Sequence, residues 1–202
     1  MKKIACFMAA VMLTGAAAIL AFRFFAAEPL SAQNDVSERS AKALQVKIDT
    51  IQAAETAKDR RGTETVEVSE TELESYVIYS MRDQIPARVD SIDVQLGTGV
   101  VAADAKLTFP ADSTGNPLVD AVVGGTHTFF LKGKLAASEK RGRFELQEVK
   151  VDGIPVPLIL IETLVEKYVK PMYPDVDLKE PFPMPWGMDS LVITPGKATI
   201  VY

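Results

Sequence analysis

Residues 92–109 read IDVQLGTGVVAADAKLTF, and their rhythm has a period of two. Ile92, Val94 and Leu96 alternate with polar residues. After Gly97-Thr98-Gly99, Val101, Ala103, Ala105, Leu107 and Phe109 alternate with Ala102, Asp104, Lys106 and Thr108. Successive side chains of a strand point to opposite faces, so this pattern describes two strands joined by a glycine turn, with one face apolar. Antiparallel strands of this kind bury one face and leave the other in water.

The same rhythm continues toward the C-terminus. A third strand is expected over residues 126–135 and a fourth over residues 143–151. In the fourth, Phe144 and Leu146 share one parity while Val149 and Val151 share the other, which predicts a bulge near Gln147-Glu148. A closing hairpin is expected from residues 191–193 and 198–201, turned at Pro195-Gly196.

Helical spacing appears on either side of these strands. Residues 65–68 alternate as a short strand and lead to Ser69, which has Glu72 three positions on, the pattern of a capping box. Leu73, Tyr76, Val77, Ser80 and Met81 then follow at helical intervals, and Pro86 ends the run. Upstream, residues 36–58 place Leu44, Ile48 and Ile51 on one helix face. This helix reads either as a stalk lifting the domain off a membrane or as a helix packed against it.

Residues 153–168, GIPVPLILIETLVEKY, predict a helix begun by Pro155 and Pro157 and closed by Pro171. Leu158, Ile161, Leu164, Val165 and Tyr168 form its apolar stripe, which Ile159 and Leu160 widen. Residues 177–187, DLKEPFPMPWG, read as an extended strap that packs Phe182 and Trp186 onto the domain or guards the rim of an apolar mouth. Helices alternating with long antiparallel strands make the fold class α+β.

The N-terminus differs in kind. Lys2 and Lys3 precede an uncharged apolar run over residues 4–22, which as a helix covers roughly 28 Å, about the thickness of a bilayer core. The lysines predict that this end stays in the cytoplasm and the rest is exported. No small-x-small cleavage signal follows, so an uncleaved anchor is expected, with a cleaved signal peptide as the alternative. The sequence thus divides into a membrane anchor or signal at 1–27, a linker and stalk helix at 28–62, and an α+β domain at 63–202. The expected location is the cell envelope, with the domain on the extracytoplasmic side.

Charge and residue usage exclude several functions. From Glu28 onward 19 basic and 27 acidic residues leave a net charge of −8, which argues against a nucleic-acid partner. Cys6 is the only cysteine and lies in the apolar run, so the domain has no disulfide. The single histidine, His127, sits in a strand between threonines and shares parity with Phe129 and Leu131. It reads as a hydrogen-bonded or surface residue without a G-x-S-x-G partner motif. The acidic clusters at 90–93 and 175–177 lack the spacing of a calcium loop, and no zinc or phosphate-binding motif is present. The chain is therefore expected to be non-catalytic, without a metal or cofactor.

Residues 66–81 (VEVSETELESYVIYSM), the G-x-P-x-P element that opens residues 153–168, and the closing G-x-A-x-V strand occur in an order that resembles a group of bacterial exported proteins of unassigned function. The resemblance covers about residues 63–202. That group is similar in layout to the tubular lipid-binding (TULIP-like) superfamily, in which a long curved antiparallel sheet wraps a long helix. The resemblance implies an apolar ligand, lipid or other, held in the seam between sheet and helix. Candidate lining residues are then Leu73, Tyr76, Val77, Met81, Phe129, Leu131, Leu158, Ile161, Leu164 and Val165. The alternative is a membrane-tethered scaffold or protein-interaction domain whose core is filled and takes no ligand.

Overall fold

A computed structural model describes residues 36–56, 63–85, 87–110, 124–164, 166 and 180–202. In these residues nine strands form one antiparallel sheet: β1 Thr65–Ser69, β2 Arg88–Leu96, β3 Val100–Phe109, β4 Gly125–Ser138, β5 Arg141–Val151, β6 Ile154–Pro155, β7 Phe182–Pro183, β8 Ser190–Thr194 and β9 Lys197–Val201. Three α-helices accompany them, α1 Glu38–Thr56, α2 Glu70–Ser75 and α3 Leu158–Leu164. The architecture is α+β, an open antiparallel sheet with helices. The expected anchor lies outside the described residues, among which no helix is long and apolar enough to cross a membrane.

The long strand β4 organises the sheet. β5 pairs along one side of it, from Phe129↔Val151 to Ser138↔Arg141. On the other side β3 pairs up to Val100↔Lys134, and β8 then takes over at Ala137↔Leu191. The two hairpins β2–β3 and β8–β9 therefore meet end to end. The Gly99 amide donates to the Ile193 carbonyl at 3.1 Å, and the Gly196 amide donates to the Leu96 carbonyl at 3.0 Å. The predicted bulge is real. Lys132 pairs with Glu148 but Gly133 pairs with Leu146, so Gln147 is the extra residue. That single insertion puts Phe144 and Leu146 on the same face as Val149 and Val151.

One face of the sheet is consequently apolar from edge to edge, and the larger core lies on it. Val77, Met81, Ile85 and Ala87 pack there onto Ile92, Val94, Leu96, Ala105, Leu107, Ile193 and Ala198. Close approach explains Gly133, because a Cβ there would lie 2.5 Å from the Phe144 ring. Gly142 is bare for the same reason beneath Phe182, whose strand β7 pairs with β5. The proline-rich segment is thus a strap. Its Trp186 joins Ile51, Met188 and Tyr202 in a third cluster, where the end of α1 docks.

The helix α2 begins as predicted. Ser69 Oγ accepts the Glu72 amide at 3.2 Å and the Glu72 carboxylate accepts the Ser69 amide at 2.9 Å. The expected single helix to Pro86 is instead divided, with a π turn over Tyr76–Ser80 and a 3₁₀ turn over Arg82–Gln84. Because Ser69 pairs with Lys197 beside the meeting point of the hairpins, α2 continues the line of β1 and runs alongside β2. There its carboxylates stand where a neighbouring strand's carbonyls would be. The Leu96 amide donates to Glu70 Oε1 at 2.6 Å and the Val94 amide to Glu74 Oε1 at 2.8 Å. Glu74 is only 2 % exposed, yet it satisfies an edge amide that would otherwise be orphaned.

Of the two readings of α1, the structure has the packed one. Ala41, Leu44 and Ile51 are buried, the Ser37 amide donates to Ser75 Oγ at 3.1 Å, and Lys47 Nζ lies 2.6 Å from Glu72 Oε1. Lys47 also donates to the Glu67 carbonyl on the outer edge of β1.

Two of the hairpin turns put both central residues at positive φ. Between β5 and β6 it is supplied by Asp152 (φ 51°) and Gly153 (φ 77°). Between β4 and β5 it falls on Glu139 (φ 52°) and Lys140 (φ 62°), neither suited to that region. The strap supports this second turn. The Lys140 amide donates to the Asp189 carbonyl at 2.9 Å, and the Met184 amide to the Lys140 carbonyl at 2.8 Å.

Candidate functional site

The candidate residues fall into two groups. Leu73, Tyr76, Val77 and Met81 belong to the larger core under α2. Val77 and Met81 are buried, and Tyr76 Oη donates to Gln45 Oε1 of α1 at 3.1 Å. Burial first, and the nearby Asp49 carboxylate second, push the Tyr76 hydroxyl above its ordinary pKa. These four side chains hold helix to helix and helix to sheet.

The second group surrounds α3. Val149, Val151, Val156 and Ile161 form a separate cluster, with Phe129, Leu131, Leu146 and Leu160 packed against it. Phe129 also packs against the larger core, where its ring meets Phe109 edge to face at 6.0 Å between centroids. It is the hinge between the two regions.

The local chain path differs from the expected helix start. Pro155 lies in β6 opposite Lys150, while α3 begins only after Pro157, whose carbonyl accepts the Leu160 amide at 2.9 Å. The Val156 amide donates to the Val149 carbonyl at 2.8 Å, so alternate residues of this short strand face β5. Pro155 falls on the outward parity, where an absent amide costs no ladder bond. This later start exposes the first turn. Side chains of a helix lean over the turn before them, and Leu158 has none to cover. Leu158 is 38 % exposed and Ile159 71 %, whereas Ile161 is fully buried and Leu160 packs beside it. Leu158 is therefore not part of a buried stripe. Val165 and the side chain of Leu164 lie outside what the structure describes.

A polar pair stands at the end of this region. His127, paired with Leu107 of β3, shares the apolar face with Phe129 and Leu131. Its Nδ1 lies 2.7 Å from Asp152 Oδ2, and Asp152 Oδ1 accepts the Thr128 amide at 2.8 Å. Partial burial pushes the Asp152 carboxyl up, but the bonds to His127 and the Thr128 amide more than offset it, so the group lies below the usual aspartate range. The pairing of His127 with the residue 25 positions later could not be read from spacing. The Asp-Gly turn that brings them together was the available signal.

Among the described residues no three His, Cys, Asp or Glu side chains converge as a metal-binding group. Asp90 instead bonds Arg88 and Thr108, and Asp93 bonds Gln95. No family model matches the sequence, and no curated protein matches it.

Proposed function

We propose that this chain is an exported or membrane-anchored envelope protein that binds a lipid or other apolar molecule, without transforming it, between the sheet and α3. The resemblance to the tubular lipid-binding proteins supports this reading, as does an open antiparallel sheet with helices on its apolar face; the anchor expected at residues 4–22 would hold the chain to the membrane. The observation that carries this reading is the surplus of apolar surface on α3, where Ile159 is 71 % exposed two residues before a fully buried Ile161. Packing accounts for Leu160 and Ile161. It leaves Leu158 and Ile159 unused, and binding sites are apolar surfaces with few polar groups.

Organic extraction of the purified chain, followed by mass spectrometry, is expected to release a lipid. Ile159→Asp removes the surplus without touching the core, so its stability is expected to stay within about 0.5 kcal/mol of the parent. Its uptake of an apolar fluorescent probe should fall about tenfold, the effect of losing the burial of one such side chain. A chain that yields no lipid, and whose Ile159→Asp variant takes up probe as well as the parent, is a filled scaffold instead.

A further inference from the structure

The chain's single histidine is held in one defined orientation. The Asp152 amide donates to the Thr128 carbonyl at 2.7 Å while its Oδ1 accepts the Thr128 amide. This ring of bonds fixes the carboxylate against His127 Nδ1. An ionised carboxylate only accepts, so in the neutral imidazole Nδ1 carries the proton and Nε2 presents a bare lone pair. Nε2 is buried and has no hydrogen-bond partner among the described residues. A buried acceptor left without a donor is unfavourable, so the place is suited to a group that donates. His127 shares its sheet face with Phe129 and Leu131, which lead toward α3.

We propose that His127 Nε2 is the polar anchor of the apolar site and accepts a hydrogen bond from the hydroxyl of an uncharged, long-chain amphiphile. The chain of that molecule lies along Phe129 and Leu131. The inference rests on the apolar-ligand reading above and adds the head group. A carboxylate or phosphate head offers Nε2 no proton and meets the Asp152 charge behind the ring. An ammonium head sheds far more hydration than a hydroxyl on entering an apolar site. A hydroxyl supplies the one donor required.

The test uses the full chain, 15N-labelled and held in phosphatidylcholine nanodiscs, with 1-decanol and decyl methyl ether as probes. The ether has the same chain and no donor. Because there is one histidine, a long-range 1H–15N spectrum reports this imidazole alone. Decanol is expected to bind about tenfold more tightly than the ether and to shift Nε2 while Nδ1 stays protonated. His127→Phe should abolish the preference for decanol over the ether. The parent chain's spectrum and affinities decide the matter even if that variant does not fold. Equal affinities, or an Nε2 signal unmoved at saturation, overturn the anchor and leave the apolar site standing. Failure of both probes to bind overturns the site and the anchor together.

Discussion

The helices α2 and α3 cover neighbouring parts of one apolar sheet face, and they are secured there by different means. Around α2 the packing is deep and is reinforced by directional bonds: a reciprocal cap at Ser69 and Glu72, two carboxylates on the amides of β2, and Ser75 tied to α1. Around α3 a small cluster holds one face of the helix, and the first turn is left in water. Buried polar bonds fix one geometry, since a displaced partner is costly. Apolar contacts, which make up the cluster around Ile161, tolerate a neighbour's replacement more readily. The α2 region is thus the more firmly specified of the two, and the ligand site proposed above lies at the other.

The contrast can be broken by measurement. Leu107→Ala, at a site 1 % exposed in the larger core, is expected to lower stability by about 3 kcal/mol in urea unfolding. Leu131→Ala, partly buried beside α3, should cost less than half of that. Equal losses would end the distinction between the regions. Glu74→Ala leaves the Val94 amide without its acceptor and should cost about 2 kcal/mol. Glu74→Gln keeps an oxygen in place and should recover more than half of the loss, which hydrogen exchange at Val94 would report.

The smallest expected effect lies on the opposite face of the sheet. Asp104 faces Asp93 directly across β2 and β3. Partial desolvation first, and Asp93 second, raise the Asp104 carboxyl above its ordinary value, against a smaller opposing pull from Lys150. A raised carboxyl binds its proton more tightly in the folded chain, so the penalty is absent at low pH and appears as pH rises through the folded value. Asp104→Asn should therefore stabilise the protein by about 0.5 kcal/mol at pH 7 and by nothing measurable at pH 3. Unfolding curves at the two pH values check this.

Much of the fold was legible because it depends on local rules. Alternation located β2, β3, β4, β5 and the closing hairpin, the parity change of Phe144/Leu146 against Val149/Val151 located the bulge, and Ser69 with Glu72 located the start of α2. What escaped depends on distant neighbours. Glu70 and Glu74 look like surface residues of a helix until β2 is placed beside them. Pro155 looks like a helix start until the Asp152-Gly153 turn sets its outward parity. The candidate site was legible only as composition. Sequence could name Phe129, Leu131 and Ile161 as apolar, but not that they gather apart from Val77 and Met81, nor that Leu158 is uncovered.

The turn at Glu139-Lys140 bears on the order in which the chain assembles. The hairpin of β4 and β5 is the longest local pairing in the sheet, and ordinarily its turn would close first. Here both turn residues occupy a backbone region that costs non-glycine residues about 1–2 kcal/mol each. The bonds that offset this come from Met184 and Asp189, more than forty residues downstream. A ribosome must therefore deliver the strap before the longest hairpin can close firmly, so the middle of this sheet waits for residues made more than forty positions later.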